Sequence, residues 1–332
     1  MAADGPAPGG PRIGVVAPAT IPPGDFVAYV RRAEQAGFHE VWVVEDCFLH
    51  GAFAQAATAL AVTSSLHVGL GIIPAGARHV AFTAMEISTL AGLHPGRLTV
   101  GVGHGMPAWM EQIGAWPASP LTLLDEYIRA LRRLLAGENV DVDGRYVQLR
   151  DVRLAHPPAV PPPVLAGVRG PRSLRRSGEV AQGTVLAEPV TPEYLAFARA
   201  QTGAVGHEEG GHAEGGHEIV AYNLASVDDD PAVARSRVRG PLAVIGEPDW
   251  APHTAVLEFG ADLVTLRNGS GSASAFAAAL PDAWVDRLAI VGTPAAAREK
   301  VQALHRAGAD RVVLFPAYPE LLPALDSLAR VL

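Results

Sequence analysis

A few side chains in this 332-residue chain sit where they could do chemistry. Glu45 and Asp46 close the apolar run Glu40 to Val44, and one of them points to the inside of whatever that strand encloses, because strand residues alternate faces. Such a carboxyl can hold or deliver a proton. His104 stands between Gly103 and Gly105 at the end of another apolar run, and can act as acid or base or bond a ring substituent. The turn Gly167, Val168, Arg169, Gly170, Pro171, Arg172, Ser173 joins a strand to a helix. It offers backbone N–H groups, a helix start, arginines and a hydroxyl to an anion. Cys47 is the single cysteine; it lacks a partnered base in the sequence and reads as a small buried residue rather than a nucleophile. Trp109 and Met110 follow Pro107 and can wall a flat substrate or pack a helix. His207, His212 and His217 lie five apart among glycines, a spacing that fits neither H-E-x-x-H nor a zinc finger. That segment, 203–217, reads as a flexible loop. A metal-dependent barrel hydrolase built on it is the weakest functional reading, and no metal site is expected.

The elements that position these groups follow from hydrophobic periodicity. Strands are expected at Arg12 to Ala17, Glu40 to Val44, Leu66 to Ile73, Arg97 to Val102, Val164 to Ala166, Thr184 to Ala187, Glu218 to Val227 and Arg311 to Phe315. Helical patterns separate them, several closed by a glycine such as Gly37 or Gly308. Thr293 and Pro294 read as N-cap and first residue of a late helix. Strands alternating with helices need a parallel sheet, since parallel neighbours require long crossovers. Eight of them is the count of a closed (β/α)8 TIM barrel with insertions. An open doubly wound sheet is the alternative, but the first strand lacks a G-x-G-x-x-G turn. Residues 138–163 read as an excursion, a hairpin and a proline-rich return; residues 1–10 read as a disordered start and 11–332 as one domain.

A barrel puts chemistry at the carboxyl ends of its strands. The candidates are then Pro18, Asp46, Cys47, Gly71, Ile72, Ile73, Pro74, Ala75, Gly103, His104, the turn Gly167 to Ser173, Glu188 and Pro316. Glycines at two adjacent strand ends, Gly71 and Gly101 to Gly105, mark a place where backbone approaches something closely.

Bulk composition narrows the class. With 49% hydrophobic and 18% charged residues, a large core is available and global disorder is excluded. A net charge of -8 argues against nucleic acid as a partner. No run reaches the ~18 apolar residues of a membrane span. Residues 1–10 lack the apolar stretch of a secretory signal, so a cytoplasmic protein is expected.

Taken in order, several segments resemble the luciferase-like monooxygenase superfamily, and within it the coenzyme F420 (deazaflavin)-dependent oxidoreductases. They are Gly69 to Pro74 with Arg78 and His79, Gly96 to Met110, Pro162 to Ser173 with Gly178 to Gly183, Ser226 to Asp230, and Val291 to Pro294 through Asp310. The resemblance spans residues 12–318. It implies a non-prolyl cis peptide in strand three, at Gly71–Ile72 or Ile72–Ile73, against the deazaflavin ring. It implies that Gly167 to Ser173 hold the cofactor phosphate, and that Gly103 and His104 lie along the ribityl side. Asp46 and Cys47 would face the reacting side of the ring. Asp46 or His104 would be the proton donor, with Cys47, Trp109 and Met110 against substrate. The expected activity is hydride transfer between F420 and a small-molecule or peptide substrate, such as reduction of a C=C or C=N bond. The alternative is an FMN-dependent monooxygenase using O2 and a partner reductase. A homodimer is expected by the same resemblance. The chain departs from the family at Pro74 to Ala77, which replace a common Asn-Pro, and at Gln182, which replaces a common Asp.

Overall fold

The computed structural model describes residues 10–203 and 216–332. Its strands are β1 (Arg12–Ala17), β2 (Glu40–Val43), β3 (His67–Pro74), β4 (Leu98–Gly103), β5 (Val140–Asp143), β6 (Gln148–Val152), β7 (Val164–Gly167), β8 (Gly183–Leu186), β9 (Glu218–Val227), β10 (Ile290–Gly292) and β11 (Arg311–Pro316). The helices that matter for the site are α1 (Pro23–Gln35), α2 (Ala52–Val62), α3 (Val80–Leu93), α4 (Pro107–Gln112), α5 (Pro120–Leu135), α6 (Pro171–Val180) and α7 (Pro192–Gly203). All pairings among β1, β2, β3, β4, β7, β8, β9 and β11 are parallel. β8 pairs with β9, β9 with β11 and β11 with β1, so the eight strands close. The chain is a (β/α)8 barrel.

The hairpin expected in residues 138–163 is present as the antiparallel pair β5–β6, outside the barrel. One element was not expected. Ile290 to Gly292 precede the helix at Thr293 as β10, which pairs with Ala225, Ser226 and Val227 of β9 beyond the point where β8 ends. Three residues are too few for a period-2 pattern to show. The segment between β9 and β10 is helical and irregular and packs its own apolar cluster around Leu242, Phe276 and Val285.

Two apolar layers follow from strand alternation. One faces outward to the helices. The smaller one fills the barrel interior with Val16, Trp42, Val44, Leu165, Val185, Val220, Tyr222 and Val313. Below it, at the amino ends of the strands, a charged plug closes the barrel. Arg311 is 5% exposed and lies 3.2 Å from Glu40, which is 1% exposed. Arg311 also donates from Nε to Glu218 Oε1 at 2.6 Å and from Nη1 to Thr99 Oγ1 at 3.1 Å. Glu40 accepts from Trp42 Nε1 at 2.7 Å. With that end sealed, ligands enter at the other. No helix among the described residues is long and apolar enough to cross a membrane.

Candidate active site

A cavity of about 640 Å³ opens at the carboxyl ends of the strands. Its wall begins with an irregularity in β3. The pairing with β4 runs Leu70 to Val100, then resumes at Ile73 to Val102, so two residues are accommodated where one step is due. The Gly71–Ile72 peptide within it is cis. The bulge resets the alternation. Leu70 and Ile73 both pack outward, while Ile72 joins the interior layer.

Four glycines accept what the bulge turns inward. A Cβ on Gly167 would lie 2.3 Å from Ile72 Cγ2, and one on Gly103 2.8 Å from Ile72 Cδ1. One on Gly101 would meet Leu70 O at 2.7 Å and Ile72 Cγ2 at 3.1 Å. On the other side, a Cβ on Gly71 would meet the Tyr222 hydroxyl at 2.0 Å. Tyr222 lines the cavity, and its hydroxyl is buried with no hydrogen-bond partner among the described residues. A buried phenol without a partner is costly and is most simply satisfied by a ligand.

The acidic side of the cavity comes from β2 and β8. Glu45 is held by Arg78 in a two-pronged pair, at 2.5 and 2.7 Å, and caps the backbone N–H of Ala52 at 3.2 Å. The arginine of the segment after β3 thus serves the carboxylate after β2. Asp46, next along, lines the cavity with no ion pair among the described residues, and burial pushes its carboxyl up from the ordinary value. Glu188 faces the same cavity; burial pushes its carboxyl up, Arg169 pulls it down, and the charge of Asp46 adds to the rise. The backbone carrying Glu188 is pinned residue by residue. Trp250 Nε1 donates to Glu188 O at 2.8 Å, His253 Nδ1 bonds Pro189 O at 3.0 Å, and Asn223 bonds both N and O of Val190 at 2.9 and 3.1 Å. The Glu188–Pro189 peptide is cis.

The opposite side is the turn between β7 and α6. Arg169 lies over the Trp250 ring at 4.4 Å and donates from Nη1 to Asp249 O at 3.5 Å. Tyr194 of α7 donates to Arg169 O at 2.8 Å, which fixes the turn from behind. His104 Nε2 lies 3.4 Å from Ser173 Oγ. Burial, with Arg169 adding to it, holds the His104 imidazole below its ordinary range, so it is neutral near pH 7. Cys47 lines the cavity too, with its thiol pushed up by burial and by Glu45 and Asp46. That is the opposite of nucleophile activation.

Of the residues expected at the site, Asp46, Cys47, Gly71, Ile72, His104, Trp109, Gly167, Val168, Arg169 and Glu188 meet around this one cavity. Others stand outside its lining. Ile73 faces the outer core because of the bulge, and Gly103 is covered by Ile72. Pro18 is buried, with its carbonyl closing a turn onto Ile21 N at 3.0 Å. Gly170 starts α6, accepting from Leu174 N at 2.9 Å, and Arg172 points to solvent. Ser173 takes part only through His104. Met110 is fully buried; a Cβ on Gly105 would meet it at 2.9 Å, so it packs under the loop instead of facing the cavity. His207 and His212 lie outside the described residues, and among the described residues no cluster of His, Cys, Asp or Glu is placed to hold a metal. Residues not expected are Tyr222, Trp116, Trp250, Val244 and Phe315, all lining the cavity. Phe315 and Tyr222 carried a signal in their inward parity on strands; Trp116, Val244 and Trp250 lie in irregular segments and carried none.

The family described as luciferase-like monooxygenase matches residues 6–311. The chain belongs to that family. It is 29% identical to a 5,10-methylenetetrahydromethanopterin reductase of Methanolobus tindarius over 86% of this chain and 88% of that protein. It is 31% identical to an F420-dependent glucose-6-phosphate dehydrogenase of Beutenbergia cavernae over 68% of this chain and 71% of that protein. The solved structure of a coenzyme F420-dependent tetrahydromethanopterin reductase from Methanopyrus kandleri superposes with a TM-score of 0.79 at 22% identity, covering 96% of this chain and 97% of that one. The chain is an oxidoreductase of the luciferase-like superfamily, and F420-dependent enzymes stand among its relatives, as the motifs implied.

Proposed function

We propose that the chain transfers a hydride between coenzyme F420 and a small organic substrate, reducing a C=C or C=N bond. The observation that carries this reading is the one cavity in which the Gly71–Ile72 bulge, the β7–α6 turn and the carboxyls of Asp46 and Glu188, without an ion pair among the described residues, converge. The residues present suit a deazaflavin. The bulge and Ile72 form a backing wall for a flat ring, and Tyr222, whose hydroxyl has no partner among the described residues, lines the same space. The start of α6, with Arg169, suits a phosphate. Bound there, the cofactor supplies the hydride chemistry. The protein orients it and manages protons. Asp46 and Glu188, raised by burial, hold a proton more readily than ordinary carboxyls and can hand it to substrate. Neutral His104 can accept or donate a hydrogen bond without bringing charge.

Titration of the protein with F420 and, separately, with FMN tests this, because Trp109, Trp116 and Trp250 line the cavity and report by quenching. The proposal expects saturable quenching by F420 at micromolar or lower concentration and a much weaker response to FMN. Tight FMN with no F420 binding would favour the oxygen-using alternative. A homodimer is part of the same proposal. Phe82, Met85 and Leu93 leave an exposed apolar stripe along α3, and their replacement by glutamate should yield a monomer in light scattering.

A further inference from the structure

This inference rests on the reading above, that part of the cavity holds the deazaflavin, and concerns what fills the rest. Few side chains on the wall carry charge. Glu45 is neutralised by Arg78. Asp46 and Glu188 face the cavity, and among the described residues neither makes an ion pair, although the charge of Arg169 acts on Glu188. Arg169 is the only guanidinium on the wall among the described residues. It lies flat on Trp250, bonds the backbone of Asp249, and sits at the α6 start, where a cofactor phosphate would take its charge. His104 is neutral near pH 7 and brings no positive charge. Once a phosphate is seated, nothing cationic on the wall is left for a second anion.

The remaining surface is aromatic and apolar. Trp109 and Trp116 line it, with Met106 and Phe315. Indole faces attract cations through their quadrupole, more strongly where water is excluded. Tyr222 borders both the bulge at Gly71 and the carboxyl of Glu188. Tyr222 is 4% exposed, lines the cavity, and its hydroxyl has no partner among the described residues. It can accept a hydrogen bond from an N–H as well as donate one.

We propose that the substrate is a flat organic cation, of the iminium or N-alkylated heteroaromatic class, seated between the tryptophans and the carboxylates of Asp46 and Glu188. The same arrangement rejects phosphorylated and carboxylated molecules. An anion would meet two carboxyls that have no ion pair among the described residues, in a poorly hydrated space where like charges repel far more than in water. The two carboxyls repel each other as well, so a cation between them removes a cost that the empty cavity carries.

Three probes of one size and shape separate the possibilities: 1-methylquinolinium, 1-methylnaphthalene and 1-naphthoate. Their binding to the full-length protein is measured by tryptophan quenching and calorimetry, both with and without saturating F420. The inference expects the cation to bind about tenfold tighter than the neutral probe, and the anion more weakly than either. Asp46→Asn and Glu188→Gln should each reduce the cation's advantage while leaving 1-methylnaphthalene affinity unchanged. Equal or tighter binding of 1-naphthoate overturns the inference. So does a cation preference that survives both substitutions, since it would then come from elsewhere on an acidic protein. The comparison of the three probes on the unaltered protein stands even if a variant fails to fold. Failure of F420 to bind would sink the cofactor reading alone; F420 binding with preference for the anion would sink this inference alone.

Discussion

The side chain of Ile72 occupies the space that a Cβ on Gly167 would fill, with its Cγ2 only 2.3 Å from that position. Ile72 is there because the β3 bulge turns it into the barrel, and it can stay there because β4 and β7 present glycines. The glycine-rich strand ends are therefore a seat for the wall of the cavity before they are contacts for a ligand.

Gly167→Ala should destabilise the protein by about 1–3 kcal/mol, the usual cost of overpacking. It should also weaken cofactor binding by displacing Ile72. Ile72→Ala removes the Cγ2 that clashes, so the double variant should lose less stability than the two single losses added together. Denaturant unfolding of all four proteins measures the coupling; strict additivity would show that the contact does not govern the site.

Tyr222→Phe removes a buried hydroxyl that has no partner among the described residues. The protein without ligand should be as stable as the parent or more so, by up to about 1 kcal/mol, since an unsatisfied group is lost. F420 affinity should fall at the same time. A variant that is markedly less stable yet binds F420 unchanged would mean the hydroxyl serves the fold and not the ligand.

Asp46 and Glu188 both have carboxyls raised by burial, so the folded protein holds their protons more tightly than the unfolded chain. Their contribution to stability is then full below the ordinary carboxylate range, near pH 4, and declines as pH rises through the raised folded values. Asp46→Asn and Glu188→Gln should be more stable than the parent at pH 7 to 8, with the difference closing towards pH 4. Denaturation midpoints across that range decide it; a difference that grows on acidification would contradict the burial of unpaired charge. If either carboxyl is the proton donor, kcat should fall on the alkaline side in the parent, and that limb should vanish in the corresponding amide variant.

Arg311→Met would leave Glu40, 1% exposed, without its cation at the sealed end of the barrel. Removing one partner of a buried pair costs about 3–5 kcal/mol. The double variant with Glu40→Gln should recover part of that. F420 affinity, measured on the fraction that folds, should hardly change, because this network lies at the strands' amino ends, away from the cavity.

The sequence by itself determined the barrel, the hairpin excursion, the glycine-marked strand ends and the family, because these are written in local periods and in short segments of contiguous residues. It also pointed to Asp46, His104, Arg169 and Glu188, since strand ends are readable one strand at a time. It could not separate Ile72 from Ile73, since the bulge between Leu70 and Ile73 changes inward parity without changing the apolar pattern. Nor could it tell that Met110 fills the space beneath Gly105, or that Trp250 clamps the carbonyl of Glu188 from 62 residues away. Those contacts depend on closure of the barrel, which brings strand ends and the loops after them onto one rim. Only the tertiary structure decides which side chain reaches across it, because the distances between residues remote in sequence are set by packing and not by local propensity.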